Sequence, residues 1–166
     1  MTDITQTPGL PDVISLNDQA AAFIAASFIA YWEGYEGVAK WDVNAYRLGF
    51  GSDTEGPEET PVKKGMVTTR PRALQNLALR VPKFAAIAAK QLGPLWFKIG
   101  TATKVACVDL CYNYGAIPDN VVVAVLTDGI AVANAIRRHD ADNAGINRDR
   151  RAAEAGLVIF DGGQVQ

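Results

Sequence analysis

Helical periodicity fails between Gly34 and Gly65 and holds on either side of that stretch. Glycine recurs there at positions 34, 37, 49, 51, 56 and 65, with Pro57 and Pro61 among them. Glycine and proline at that density punctuate strands and turns rather than helices. The pieces AYRLGFG and PVKKGMV also alternate with the period of two that a half-buried strand requires. A chain built this way has to fit a small β lobe between one helix and a mainly helical remainder.

The first helix is predicted to start at Asn17 as N-cap, with Asp18 and Gln19 in its first turn. Ala20, Phe23, Ile24, Ser27, Phe28 and Tyr31 follow at helical spacing, and the helix is predicted to end near Gly34. After Met66, Thr69 is predicted to cap a helix through Arg80. Pro82 is predicted to break it, and an alanine-rich helix from Lys83 to Leu92 follows, closed by Gly93-Pro94. Lys104 to Tyr114 reads as a buried helix stopped by Gly115. Short helices are expected from Val121 to Leu126, Ile130 to Arg138 and Arg148 to Gly156. The fold class this predicts is α+β, a small β-hairpin lobe beside a larger mainly helical lobe with a cleft between them. Residues 1–15, which include Pro8, Gly9 and Pro11, read as a tail or surface strap. Residues 16–166 read as a single domain.

Composition narrows the function classes. The 166 residues are 49% apolar and 20% charged, which suits one ordered globular domain. A chain of this size buries about 70% of the surface its unfolded form exposes, enough for a core without metal or disulfide staples. With 16 basic and 18 acidic side chains it has no broad basic field, so nucleic acid is not expected as a partner. Cys107 and Cys111 are the only cysteines and lie four apart, on one face of a helix, where they read as two buried thiols. His139 is the sole histidine, and neither metal nor cofactor is expected. Met1 to Asp18 contains Asp3, Asp12 and Asp18 and no basic residue, the wrong sign for a secretory leader. The apolar run Ala20 to Trp32 has 13 residues, too few to span a bilayer. A monomer is the default expectation.

The chemistry concentrates where the first helix ends, in Tyr31-Trp32-Glu33-Gly34-Tyr35-Glu36-Gly37-Val38-Ala39-Lys40-Trp41-Asp42. A glutamate in the last turn of a helix faces the negative end of the macrodipole, and burial beside Trp32 or Tyr35 would act in the same direction. Both favour a protonated carboxyl that can donate. Asp42, in a polar loop, is expected to stay ionised. On the residues alone, Glu33 and Glu36 read equally well as solvated helix-end charges, and Glu36, also followed by glycine, competes for the donor role. Trp41 and Tyr46 read either as sugar-stacking rings or as buried aromatics. Arg137, Arg138, Arg148, Arg150 and Arg151 gather positive charge that could attract an anionic polymer, although a solvated helix face explains such a run as well.

The segment resembles the catalytic hairpin of the phage-type lysozymes, glycoside hydrolase family 24. In that family a Glu-Gly at the end of the first helix precedes, by nine residues, an Asp at the start of the β lobe. Glu33-Gly34 and Asp42 have that spacing, and Leu48-Gly49-Phe50-Gly51 resembles the Gly-x-Gly strand that follows. Ala106 to Gly115 resembles the family's central-helix segment, and Gly145 to Glu154 resembles its closing arginine-rich segment.

The resemblance covers roughly residues 33 to 158 and implies a lysozyme-like fold without cofactor. It further implies hydrolysis of the β-1,4 bond between N-acetylmuramic acid and N-acetylglucosamine in peptidoglycan glycan strands. Glu33 would be the general acid and Asp42 the second carboxylate. An inverting enzyme would hold the two carboxyls about 6.5–9.5 Å apart. Arg47, the third candidate catalytic residue, stands where the family commonly has a water-positioning Thr, and Ser52 where it often has a His. A lytic transglycosylase outcome therefore stays open, as does a non-catalytic wall-binding or virion domain. Arg148 matches an arginine that pairs with the catalytic acid in relatives. Tyr46, Ser52, Asn113 and Arg148 are the candidate substrate-binding residues. The implied setting is a phage or prophage endolysin made in the bacterial cytoplasm and acting on the wall.

Overall fold

The structure, a computed structural model, describes residues 16–161, and side chains from Gln19 onward. The proposed strap over residues 1–15 lies outside the described residues. Helix α1 spans Leu16–Glu33. Asn17 thus falls in its first turn rather than ahead of it, and its side chain is also outside the described residues. Two short antiparallel pairs follow. The first joins β1 (Glu36–Asp42) and β2 (Ala45–Gly49), and the second joins β3 (Thr54–Glu55) and β4 (Thr60–Pro61). The remainder is helical: α2 (Arg70–Leu92), a 3-10 turn (Gly93–Phe97), α3 (Thr101–Tyr114), α4 (Asp119–Val125), α5 (Gly129–Arg137), a second 3-10 turn (Asp142–Gly145) and α6 (Arg148–Phe160). The β lobe between helices is where the glycine-rich stretch predicted it.

The first hairpin closes by pairing Asp42 with Ala45 across a two-residue turn, Val43-Asn44. Val43 occupies the left-handed region at φ 46°, a costly conformation for a β-branched residue. The tight turn leaves Asp42 at the rim of the lobe. Thr69 caps α2 as predicted, its hydroxyl accepting from Arg72 N. Gly115 ends α3 in the left-handed conformation at φ 83°, its N–H donating to the Cys111 carbonyl at 2.8 Å.

Pro82 does not break α2, which runs unbroken for 23 residues. The lost hydrogen bond is the one that the Ala78 carbonyl would accept, and both Ala78 and Pro82 lie on the exposed side of the helix, where water can satisfy that carbonyl. Val81 and Ala88, on the opposite side, are buried in the core and hold the helix together through its middle.

Helix α3 is the central element. Every side chain from Thr103 to Cys111 is buried, and α1, α2 and α6 all pack against it. A helix enclosed on several sides needs apolar residues around its whole circumference, and the VACV and LC segments supply them. Asn76 of α2 ties the β lobe to this body, accepting from Gly56 N at 2.8 Å and donating to the Thr54 carbonyl at 2.9 Å. Arg72 adds an ion pair to Glu55 at 2.7 Å. No helix among the described residues is long and apolar enough to cross a membrane.

Candidate active site

Glu33, Asp42, Arg47, Gly51, Arg80, Phe84, Tyr112 and Asn113 line one open cleft between the hairpin and the helices. Glu33 comes from the last residue of α1 and Asp42 from the end of β1. The helix terminus and the tight turn therefore deliver two carboxylates to one groove. Glu36 lies elsewhere: it is exposed and pairs with Lys40 at 3.5 Å.

The surroundings of Glu33 differ from the apolar pocket expected from its aromatic neighbours. The Tyr35 ring turns away to pack on Phe50 at 5.8 Å, and its hydroxyl donates to the Thr68 carbonyl. What meets Glu33 is a cation, the Arg150 guanidinium, whose Nη1 donates to Oε1 at 2.5 Å. Tyr112 packs close by, and its hydroxyl donates to the Phe50 carbonyl at 2.5 Å. Burial, and next the charge on Glu33, push that phenol well above its ordinary range.

Arg150, not Arg148, is thus the arginine that meets Glu33. Arg148 is exposed in the first turn of α6, with its guanidinium against Gly145. Two positions along a helix is a turn of roughly 200°, which separates a solvent-facing residue from a core-facing one. Arg150 is only 4% exposed and also reaches Asp109, through Nε at 2.8 Å and Nη2 at 2.6 Å. Burial alone would loosen its proton, but the hydrogen bonds and charges of Asp109 and Glu33 outweigh that and push its pKa up.

The basic run, for which attraction of an anionic polymer and a solvated helix face both stay open, is divided in the structure. Arg150 and Arg151 are buried, whereas Arg137 is half exposed and pairs with Asp140. Arg151 lies over the Tyr114 ring and approaches Glu154 Oε1 at 2.7 Å. Glu154 is fully enclosed, and burial, followed by its bonding to and repulsion from Asp109, raises its pKa well above the usual carboxylate range. The sign of its stability contribution follows. The native state keeps this proton above about pH 4.5, where the unfolded chain gives it up, so stability falls as pH rises from there. Glu154→Gln, which keeps the shape without the proton, is expected to flatten that slope in denaturant titrations between about pH 5 and 8. A large loss of stability in this variant at pH 5 would show instead that the native carboxyl is ionised.

On the hairpin side, Arg47 lies between two carboxylates, 3.8 Å from Asp42 and 3.4 Å from Asp53. Arg80 of α2 holds the other oxygen of Asp53 at 3.0 Å and also donates to the Ser52 hydroxyl. Ser52 is correspondingly not among the residues that line the cleft. It is buried, donates to the Thr54 carbonyl at 2.6 Å and accepts from Asn76 at 3.0 Å, tying α2 to the loop. Tyr46 stacks edge-on against the exposed Trp41 at 5.2 Å, outside the residues that line the cleft. Asn113 does line it, and accepts weakly from Asn147 at 3.4 Å.

Sequence reading missed Arg80, Phe84, Tyr112, Asp109 and Arg150. A usable signal existed for Arg150 and Arg151. With Glu154, Ala155 and Val158 they fall on one stripe of α6, so the charges continue an apolar face and need buried partners.

Gly51 is a further dependence. At φ 76° it is left-handed, and a Cβ there would lie 3.1 Å from Glu33 Oε2 and 3.5 Å from the Tyr112 hydroxyl. Gly51→Ala is expected to lower stability by about 1–2 kcal/mol through the backbone alone. Its Cβ should also displace the Glu33 carboxyl. Thermal melts check the first effect and carbon NMR of the Glu33 carboxyl the second.

These elements define a lysozyme-like α+β fold. Two solved structures share it. An endolysin from Escherichia coli O157:H7 phage FAHEc1 matches with TM-score 0.58 and 22% identity over 93% of this chain and 96% of that one. The muramidase domain of SpmX from Asticaccaulis excentricus matches with TM-score 0.59 and 18% identity over 88% and 97%. No protein-family model matches the chain, and no curated protein matches it in sequence.

Proposed function

We propose that the chain is a muramidase that hydrolyses the β-1,4 bond between N-acetylmuramic acid and N-acetylglucosamine in peptidoglycan. The observation that carries this reading is the pair of carboxylates in one cleft, Glu33 held by a buried arginine and Asp42 at the solvent-exposed rim. In this reading Glu33 gives its proton to the glycosidic oxygen as the bond to the muramyl anomeric carbon breaks. Asp42 takes a proton from the water that attacks that carbon from the other face, and positive charge on the sugar is relieved between the two. After the transfer, Arg150 is in place to stabilise the carboxylate left on Glu33. Likeness in fold to a phage endolysin and a muramidase domain supports the substrate class, and supports a phage or prophage endolysin acting on the bacterial wall.

A second reading is kept because Arg47, a cation, stands beside Asp42 in place of a small hydroxyl side chain. If water is not activated there, the muramyl 6-hydroxyl can attack the anomeric carbon, giving a 1,6-anhydro product. Digestion of purified peptidoglycan followed by mass analysis separates the outcomes. Products one water heavier, with new reducing ends, support the hydrolase. Anhydromuramyl ends support the transglycosylase, and binding without fragments rejects both.

A further inference from the structure

We infer that Asp109 is a positioning residue for the proton donor: from the buried centre of α3 it grips the Arg150 guanidinium along one edge and so directs the remaining nitrogen at Glu33. The inference rests on the reading of Glu33 as the acid.

A guanidinium is planar, with its donors in a fixed fork. Once Nε and Nη2 are bonded to the two oxygens of Asp109, the direction of Nη1 is set, and that nitrogen meets Glu33 Oε1. Asp109 cannot swing, because it is completely buried among the side chains of α3 and α6. The chain is thus rigid from the core to the cleft, and it joins residues 41 and 117 positions apart.

The cluster holds three carboxyls, those of Glu33, Asp109 and Glu154, against the two guanidiniums of Arg150 and Arg151. Glu154 is the one enclosed farthest from the cleft. Both of its oxygens are buried without a directed hydrogen-bond partner. A proton on Glu154 supplies the missing donor towards Asp109, in keeping with the upward displacement of that carboxyl. Asp109 takes up two of the Arg150 donors and offsets its charge, and that offset sets how much of the arginine's field reaches Glu33. The charged and titratable groups around Glu33 are Arg150 from α6, Tyr112 and Asp109 from α3, Arg80 from α2, and Asp42 and Arg47 from the hairpin.

The test is Asp109→Asn in the full chain, assayed on a soluble peptidoglycan oligosaccharide and by carbon NMR titration of the Glu33 carboxyl. The expected result is a fall in kcat of about tenfold or more with KM unchanged. The limb on which activity declines with rising pH should move to lower pH, because Arg150 is no longer offset. The NMR midpoint of Glu33 should move the same way, a readout that needs no turnover. Wild-type kcat, pH limb and midpoint in a folded variant would overturn the inference. Should Asp109→Asn fail to fold, Asp109→Asn combined with Arg151→Met keeps the charge count of the cluster and is expected to show the same kcat loss. Wild-type kcat there would overturn it equally. If the midpoint moves while Glu33→Gln still turns over substrate, the assignment of Glu33 as acid fails and the Asp109–Arg150 hold on it stands.

Discussion

Glu33→Gln is expected to reduce peptidoglycan turnover by about 10²–10⁴-fold while leaving the protein folded. The amide has the shape of the acid, and its oxygen can still accept from Arg150 Nη1, which the wild-type carboxylate does at 2.5 Å. What it lacks is a proton acidic enough to pass to a leaving sugar oxygen. The loss should therefore appear in kcat, with binding of glycan strands retained and the melting temperature within a few degrees of wild type. Asp42→Asn should be measured beside it. Loss in both variants ties turnover to the pair, whereas full turnover in Glu33→Gln would remove the proposed acid.

Arg150→Met is expected to be the most destabilising single change in the cleft. It leaves Asp109 as a buried carboxylate without its principal cation, a situation that costs about 3–5 kcal/mol. Against the roughly 5–15 kcal/mol that holds a domain together, that is a large share. The melting temperature should fall by about 10 °C for a chain of this length. Arg148→Met, two residues away but exposed, should change stability by less than about 0.5 kcal/mol. The double variant Asp109→Leu/Arg150→Met replaces the buried pair with apolar side chains and is expected to regain most of the lost stability. It should nevertheless stay poorly active, because Glu33 has no partner. Recovered stability together with recovered activity would show that the arginine serves packing alone.

Much of this architecture is legible from local pattern. The loss of helical period after Gly34, the cap at Thr69 and the left-handed stop at Gly115 are local signals, and the structure follows each of them. The placement of Glu33 at a helix end and of Asp42 beside a tight turn is also local, but the residues alone leave Glu33 and Glu36 open, and it is the resemblance in spacing that selects the pair. Where reading failed, the deciding contact was remote. Arg148 and Arg150 are indistinguishable as isolated cations. The buried stripe of α6 sets Arg150 apart, but its partners, the carboxylates of Asp109 and Glu33, lie far away in the chain and show only in the fold. Ser52 is a candidate because it stands where the resembled family often has a His, yet Asn76 and Arg80 claim its hydroxyl from α2. Pro82 was overruled by packing on the other side of its own helix.

The two thiols of α3 carry a consequence for where such a fold can operate. Both Cys107 and Cys111 are enclosed, and burial pushes both thiols up, that of Cys111 to about 12. Reaction with oxidants or disulfides requires the thiolate and an approach path, and the folded protein offers neither. These are the only cysteines in the sequence. The native fold therefore keeps both thiols out of disulfide chemistry whether its surroundings are reducing or oxidising.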